Sequence, residues 1–154
     1  MKYLNKRSRK KVNNKTLIVA IDIAKVKHTG YLRCPDGTEV KAFEFFNGRK
    51  GFDKLWDSMC KTKYAHNLQE VIVGFESTGV YAEPLLHYLI QKEIMVVQVN
   101  PMHTKRLKEI EGNSPNKTDK KDPKVIADII ELGHWLSVVV PEGAAAELRK
   151  LTHA

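Results

Sequence analysis

The sequence is short of almost everything that would staple a chain or embed it in a membrane. Among 154 residues there are two cysteines, Cys34 and Cys60, at no metal-ligand or disulfide-framework spacing. That usage predicts two free thiols in a reducing compartment. No run approaches the ~18–20 apolar residues of a membrane span. The basic start followed by Leu17–Ile21 is not a signal peptide either, because Asp22 ends the apolar run well short of the about 7–15 residues of a signal core. Acids are missing from residues 1–15, where Lys2, Lys6, Arg7, Arg9, Lys10, Lys11 and Lys15 stand unopposed. No internal repeat is visible. What remains is ordinary: the net charge is +8, yet residues 16–154 hold 19 basic groups against 18 acidic ones. A hydrophobic content of 42% excludes fibrous and wholly disordered classes. The reading is a basic flexible arm over 1–15 on a nearly neutral globular body.

The body opens on Leu17–Ile23, a short apolar run of the kind a strand covered on both faces carries. His28–Arg33 and Thr38–Phe46 flank Pro35-Asp36-Gly37, a turn sequence, and predict an antiparallel hairpin. Phe52, Leu55, Trp56 and Met59 recur at helical spacing. Val71–Phe75 and Ile94–Val99 read as buried strands, with Val80–Lys92 helical between them. A polar loop over 112–122 precedes a helix at Pro123–Leu132, and Leu136–Val140 reads as a final short strand. A hairpin leading into βα crossovers gives a mixed α/β sheet with helices on its faces, over residues 16–140. Residues 141–154 open an amphipathic segment with Ala144, Leu148 and Leu151 on one side. It runs on without a cap, and predicts the start of a helix leading to a further C-terminal domain.

Ligands of such sheets bind at the carboxyl ends of the parallel strands. Asp22 closes the first strand and Glu76 the fourth; if the two strands are neighbours, their carboxylates share one rim. Asp119 and Asp122 stand before the helix at Pro123. Hard oxygen ligands from several elements suit Mg²⁺ or Mn²⁺, and four of them can hold two ions about 4 Å apart across a phosphodiester. Each acid also has a plain structural reading. Asp22 can end a strand, Glu76 can cap the helix near Thr78-Gly79, and Asp119 can be neutralised by Lys117, Lys120 and Lys121. Asp122 before Pro123 is a good N-cap. Asp128, four residues after Lys124, reads as a surface pair rather than a ligand.

Four stretches occur in order: Val19-Ala20-Ile21-Asp22-Ile23-Ala24-Lys25, Gly74-Phe75-Glu76-Ser77-Thr78-Gly79-Val80-Tyr81, Val99-Asn100-Pro101, and Lys117-Thr118-Asp119-Lys120-Lys121-Asp122. Together they resemble the amino-terminal RuvC-like domain of the DEDD transposases of bacterial insertion sequences, the IS110 class of bridge recombinases, to which the Piv/MooV invertases are related. The resemblance spans about residues 16–154. It implies an RNase H-like, RuvC-like mixed five-stranded sheet with helices on both faces. It also implies an acidic tetrad of Asp22, Glu76, Asp119 and Asp122 binding two Mg²⁺ or Mn²⁺ ions for DNA strand cleavage and exchange in transposition. A guide RNA, a homo-oligomeric full-length protein and a cytoplasmic, nucleoid-associated activity follow from the same likeness. Two departures stand out. Pro123 follows the last acid where the family usually has alanine, and the second domain carrying the family's attacking serine has no counterpart here. Ser77 belongs to the first domain's motif and reads as a helix cap.

Around these acids Lys25, Lys105, Arg106, Lys117, Lys120 and Lys121 are the candidate nucleic-acid contacts, since positive groups hold a backbone while metals act on one linkage. Tyr81 and Trp135 read as packing residues, and His28, His87, His103 and His134 lack ligand spacing. Three other readings compete. A self-contained RuvC-type resolvase or nuclease would nick DNA unaided. An actin or sugar-kinase relative would need small residues where Lys25-Val26-Lys27 stands. A non-catalytic nucleic-acid-binding module would bind no metal.

Overall fold

Thr16–Asp22 buries nearly every side chain, which a strand can do only in the middle of a sheet covered on both sides. The computed structural model places it there. It describes residues 12–76, 79–100, 102, 105–106, 110, 122–135 and 137–140. Strand β1 (Thr16–Asp22) pairs antiparallel with β2 (Lys27–Arg33), and β2 pairs antiparallel with β3 (Glu39–Phe46). On its other side β1 runs parallel to β4 (Glu70–Glu76), and β4 parallel to β5 (Met95–Val99). These five strands form the expected mixed sheet, antiparallel on one side of β1 and parallel on the other. The short strand read at 136–140 is a sixth, β6 (Ser137–Val140), antiparallel to β5 at the edge. The order is β3-β2-β1-β4-β5-β6.

Alternation along β1 sends its side chains to two separate cores. Leu17, Val19 and Ile21 meet Phe52, Leu55 and Met59 of α1 (Arg49–Ala65) and Leu85 and Leu89 of α2 (Glu83–Gln91). Ile18 and Ala20 face the other way, onto Val125, Ile126, Ile129 and Ile130 of α3 (Pro123–Glu131). Helix α3 comes so close to the sheet that a Cβ on Gly74 would stand 2.4 Å from Ile130 Cδ1. The hairpin at Pro35-Asp36-Gly37 forms as the turn chemistry requires. Gly37 N–H donates to Cys34 O at 3.0 Å, and the φ of +91° at Gly37 is one that a glycine adopts without strain.

Two local expectations change. Helix α2 starts at Glu83, three residues later than the periodicity indicates, because a 3₁₀ turn (Gly79–Ala82) with Gly79 at φ +72° leads into Pro84. Asp128 does not pair with Lys124. It accepts from Arg33 Nη1 of β2 at 2.6 Å, Glu131 accepts from the same atom at 3.1 Å, and Lys124 Nζ lies 3.7 Å from Glu39. A cross-element tie replaces the intrahelical one because α3 lies flat on the sheet beside the end of β2. Cys34 and Cys60 are free thiols, as expected. No described helix is long and apolar enough to cross a membrane.

Candidate metal centre and nucleic-acid rim

Strands β1 and β4 are in register from Thr16↔Glu70 to Ile21↔Phe75. Asp22 and Glu76 are one rung further along, at the carboxyl ends of neighbouring parallel strands about 4.8 Å apart. The alternation puts both on the side of the sheet that α3 covers, since Ile18, Ala20 and Ile72 of the same rows pack there. Each is partly buried. Apolar strands on the way to the rim and half-solvated carboxylates at it form a donor set of hard oxygens, the chemistry a divalent cation of the magnesium type requires.

Asp122 belongs to the helix on that same face. It is the N-cap of α3, its backbone extended (φ −102°, ψ 114°), and its carboxylate accepts from Lys124 N–H at 3.0 Å. Asp22, Glu76 and Asp122 do not form a closed three-donor group. Among the described residues, the donor atoms that come within 4.8 Å of one another as a trio are those of Cys34, Asp36 and His66. That trio sits at the hairpin end of β2, the opposite end from Asp22. Burial, and then the charge of Asp36, pushes the Cys34 thiol up from its ordinary value, and Asp36 is engaged by Thr38 N–H at 2.9 Å. Asp119, Ser77, Lys117, Lys120, Lys121 and His103 lie outside the described residues, as do 1–11 and 141–154.

The loops beyond the two strands are joined. Asn47, just after β3, donates its backbone N–H to Val26 O at 2.8 Å. Its side-chain amide donates to Lys25 O and to Tyr81 O, both at 3.2 Å. Lys25 is exposed on the loop that follows Asp22, and Lys105 and Arg106 are exposed beyond β5.

Beside this rim the sequence reading missed a cavity of about 390 Å³ lined by Lys27, Glu44, Phe46, Lys50 and Lys54. Phe46 is 59% exposed, with Lys27 Nζ 5.1 Å from its ring centroid. Lys54 Nζ donates to Glu44 O at 2.9 Å. The signal was available in part: Lys50 and Lys54 are a turn apart on α1, and only the pairing of Lys27 with Phe46 across β2 and β3 brings the rest to them. Tyr81 is 43% exposed here and is a surface residue rather than the packing residue expected, whereas Trp135 is buried at 6%.

Residues 19–154 match the sequence profile of a family of DEDD transposases of the IS110 type, described as Transposase. Among solved structures, RuvC of T. thermophilus in complex with a Holliday junction substrate is similar at 10% identity and a TM-score of 0.44, covering 79% of this chain and 98% of that one. No curated protein matches the chain in sequence.

Proposed function

The chain belongs to the DEDD transposase family of the IS110 class, and from that membership and the rim geometry we propose that it is the metal-dependent catalytic domain of a DNA transposase. Asp22 and Glu76 hold a divalent cation between the ends of β1 and β4, and Asp122 at the start of α3 and Asp119, three residues before it in sequence, complete the set. The observation that carries this reading is the shared register of β1 and β4, which sets two carboxylates from distant parts of the chain side by side on one face. Mg²⁺ or Mn²⁺ bound there supplies a Lewis acid for a phosphodiester and an activated oxygen nucleophile. The chain's own groups do the rest. Four oxygen-bearing side chains offset the cation charge. Lys25, Lys105, Arg106, Lys117, Lys120 and Lys121, with Lys27, Lys50 and Lys54 along the cavity, hold the backbone of a DNA strand. Phe46 and Tyr81 give its bases a surface to stack on. Strand exchange is completed by the serine of a second domain.

A melting titration tests the metal site. A cation that binds only the folded state at a hundredfold excess over its Kd adds about 2.7 kcal/mol, or roughly 5–10 °C in Tm for a domain of this size. Mn²⁺ is expected to raise the Tm of the parent chain by that order, and Asp22→Asn or Glu76→Gln to abolish the rise. A parent that melts identically in EDTA and in saturating Mn²⁺ overturns the reading.

A further inference from the structure

The loop that follows Asp22, residues 23–26, turns β1 back into β2, and polar side chains from outside it hold it. His28 Nδ1 accepts from Ala24 N–H at 3.0 Å. Asn47 takes the next two residues by donating to each: its backbone N–H to Val26 O at 2.8 Å and its side-chain amide to Lys25 O at 3.2 Å. The same amide nitrogen donates to Tyr81 O at 3.2 Å. Tyr81 lies in the 3₁₀ turn beyond Glu76. One carboxamide therefore ties the loop that follows Asp22 to the 3₁₀ turn beyond Glu76.

His28 is an unexpected residue for its place. It is fully buried, edge-on to Phe45 at 5.4 Å between ring centroids and stacked with Phe52 at 6.5 Å. A phenylalanine would fill that slot without the cost of desolvating an imidazole. Because Nδ1 is an acceptor, the neutral ring carries its proton on Nε2. That N–H and Asn47 Oδ1 are the two buried side-chain atoms without a partner at close hydrogen-bond geometry among the described residues. They are complementary, one donor and one acceptor. Burial lowers the His28 pKa, and the Asn47 side chain opposes that shift.

We propose that His28 and Asn47 form a positioning clamp that fixes the loops on both sides of the Asp22–Glu76 rim, so that the carboxylates meet a cation already oriented. Neither residue reaches the cation or a DNA strand; both act through backbone carbonyls and one backbone N–H. The clamp depends on the metal-site reading for its functional consequence but not for its existence. Groups that orient metal ligands from behind typically change affinity by about 10–100-fold when removed.

The experiment follows amide exchange by NMR, together with Mn²⁺ affinity, in the parent and three variants of the same chain. Asn47→Ala is expected to speed exchange at Ala24 and at Tyr81–Ala82 together by about tenfold or more, leaving Val19 and Ala20 inside β1 unchanged. His28→Phe keeps the aromatic packing and loses the acceptor, so it releases Ala24. His28→Asn retains an acceptor near the Nδ1 position, and is expected to restore Ala24 protection. Mn²⁺ affinity is expected to fall about tenfold in the first two variants and to recover in the third. Should Asn47→Ala fail to fold, Asn47→Asp, which keeps the size and loses both amide donors, carries the same expectation. Unchanged exchange at Ala24 and Tyr81–Ala82 overturns the clamp. Faster exchange with parental Mn²⁺ affinity overturns its positioning role. A parent that binds no Mn²⁺ overturns the metal-site reading, and the exchange rates still decide the clamp.

Discussion

Asp122 shows how one carboxylate can answer to two demands. Its position before Pro123 reads as a helix cap, and its place in the acidic series reads as a ligand. The structure gives it the cap, through the bond from Lys124 N–H. A carboxylate has about four acceptor sites on two oxygens and the cap takes one, so the roles are compatible. Two substitutions separate them. Asp122→Ala loses the cap and is expected to cost about 1 kcal/mol in a urea titration, whereas Asp122→Asn keeps it and stays close to the parent. If Asp122 is a ligand, both variants bind Mn²⁺ more weakly. Asn at parental affinity would leave Asp122 a cap and nothing more. At this scale the sequence is least informative about His28 and Asn47. Each is a single polar residue with no spacing to mark it, and its role comes from what β2 and the end of β3 bring against the loop at 23–26.

Elements were far more legible than residues, for a physical reason. β1 and β4 are buried on both faces, so their sequences are nearly unbroken apolar runs, and the hairpin turn is written in Pro35, Asp36 and Gly37. The start of α2 was not, because helical spacing continues through the 3₁₀ turn that precedes it. The closeness of elements is equally hidden, and glycines record it. A Cβ on Gly51, in the first turn of α1, would stand 1.9 Å from the backbone oxygen of Phe46. At Gly74 the obstacle is the tip of Ile130, a side chain that can swing aside. Gly51→Ala is therefore expected to be the more damaging, at about 1–3 kcal/mol of overpacking cost, with Gly74→Ala milder despite its central strand. Urea midpoints of the two variants check the order. A reversed order would mean that α1 can slide outward at little cost, and with it the segment that carries Asn47.

At the scale of the whole molecule, the described charges differ between the two ends of β2. At the end of β2 near the hairpin, Arg33 and Lys124 are matched by Asp128, Glu131 and Glu39. At the end that carries Asp22, exposed Lys25, Lys27, Lys50 and Lys54 face Glu44, and the acids beside them are the proposed cation ligands. Affinity for a polyanion should arise at that end and release counterions in proportion to the phosphates neutralised. Duplex DNA binding, measured in EDTA so that no metal contributes, is expected to weaken linearly in log Kd against log salt. Replacing Lys27, Lys50 and Lys54 together by glutamine should flatten the slope by as much as about 2.7, at roughly 0.9 per phosphate contact. Asp22→Asn, which alters the metal site and none of these lysines, should leave the slope unchanged. If the triple variant keeps the parental slope, the strand follows another path, and the cavity beside Phe46 is not part of the DNA-binding surface.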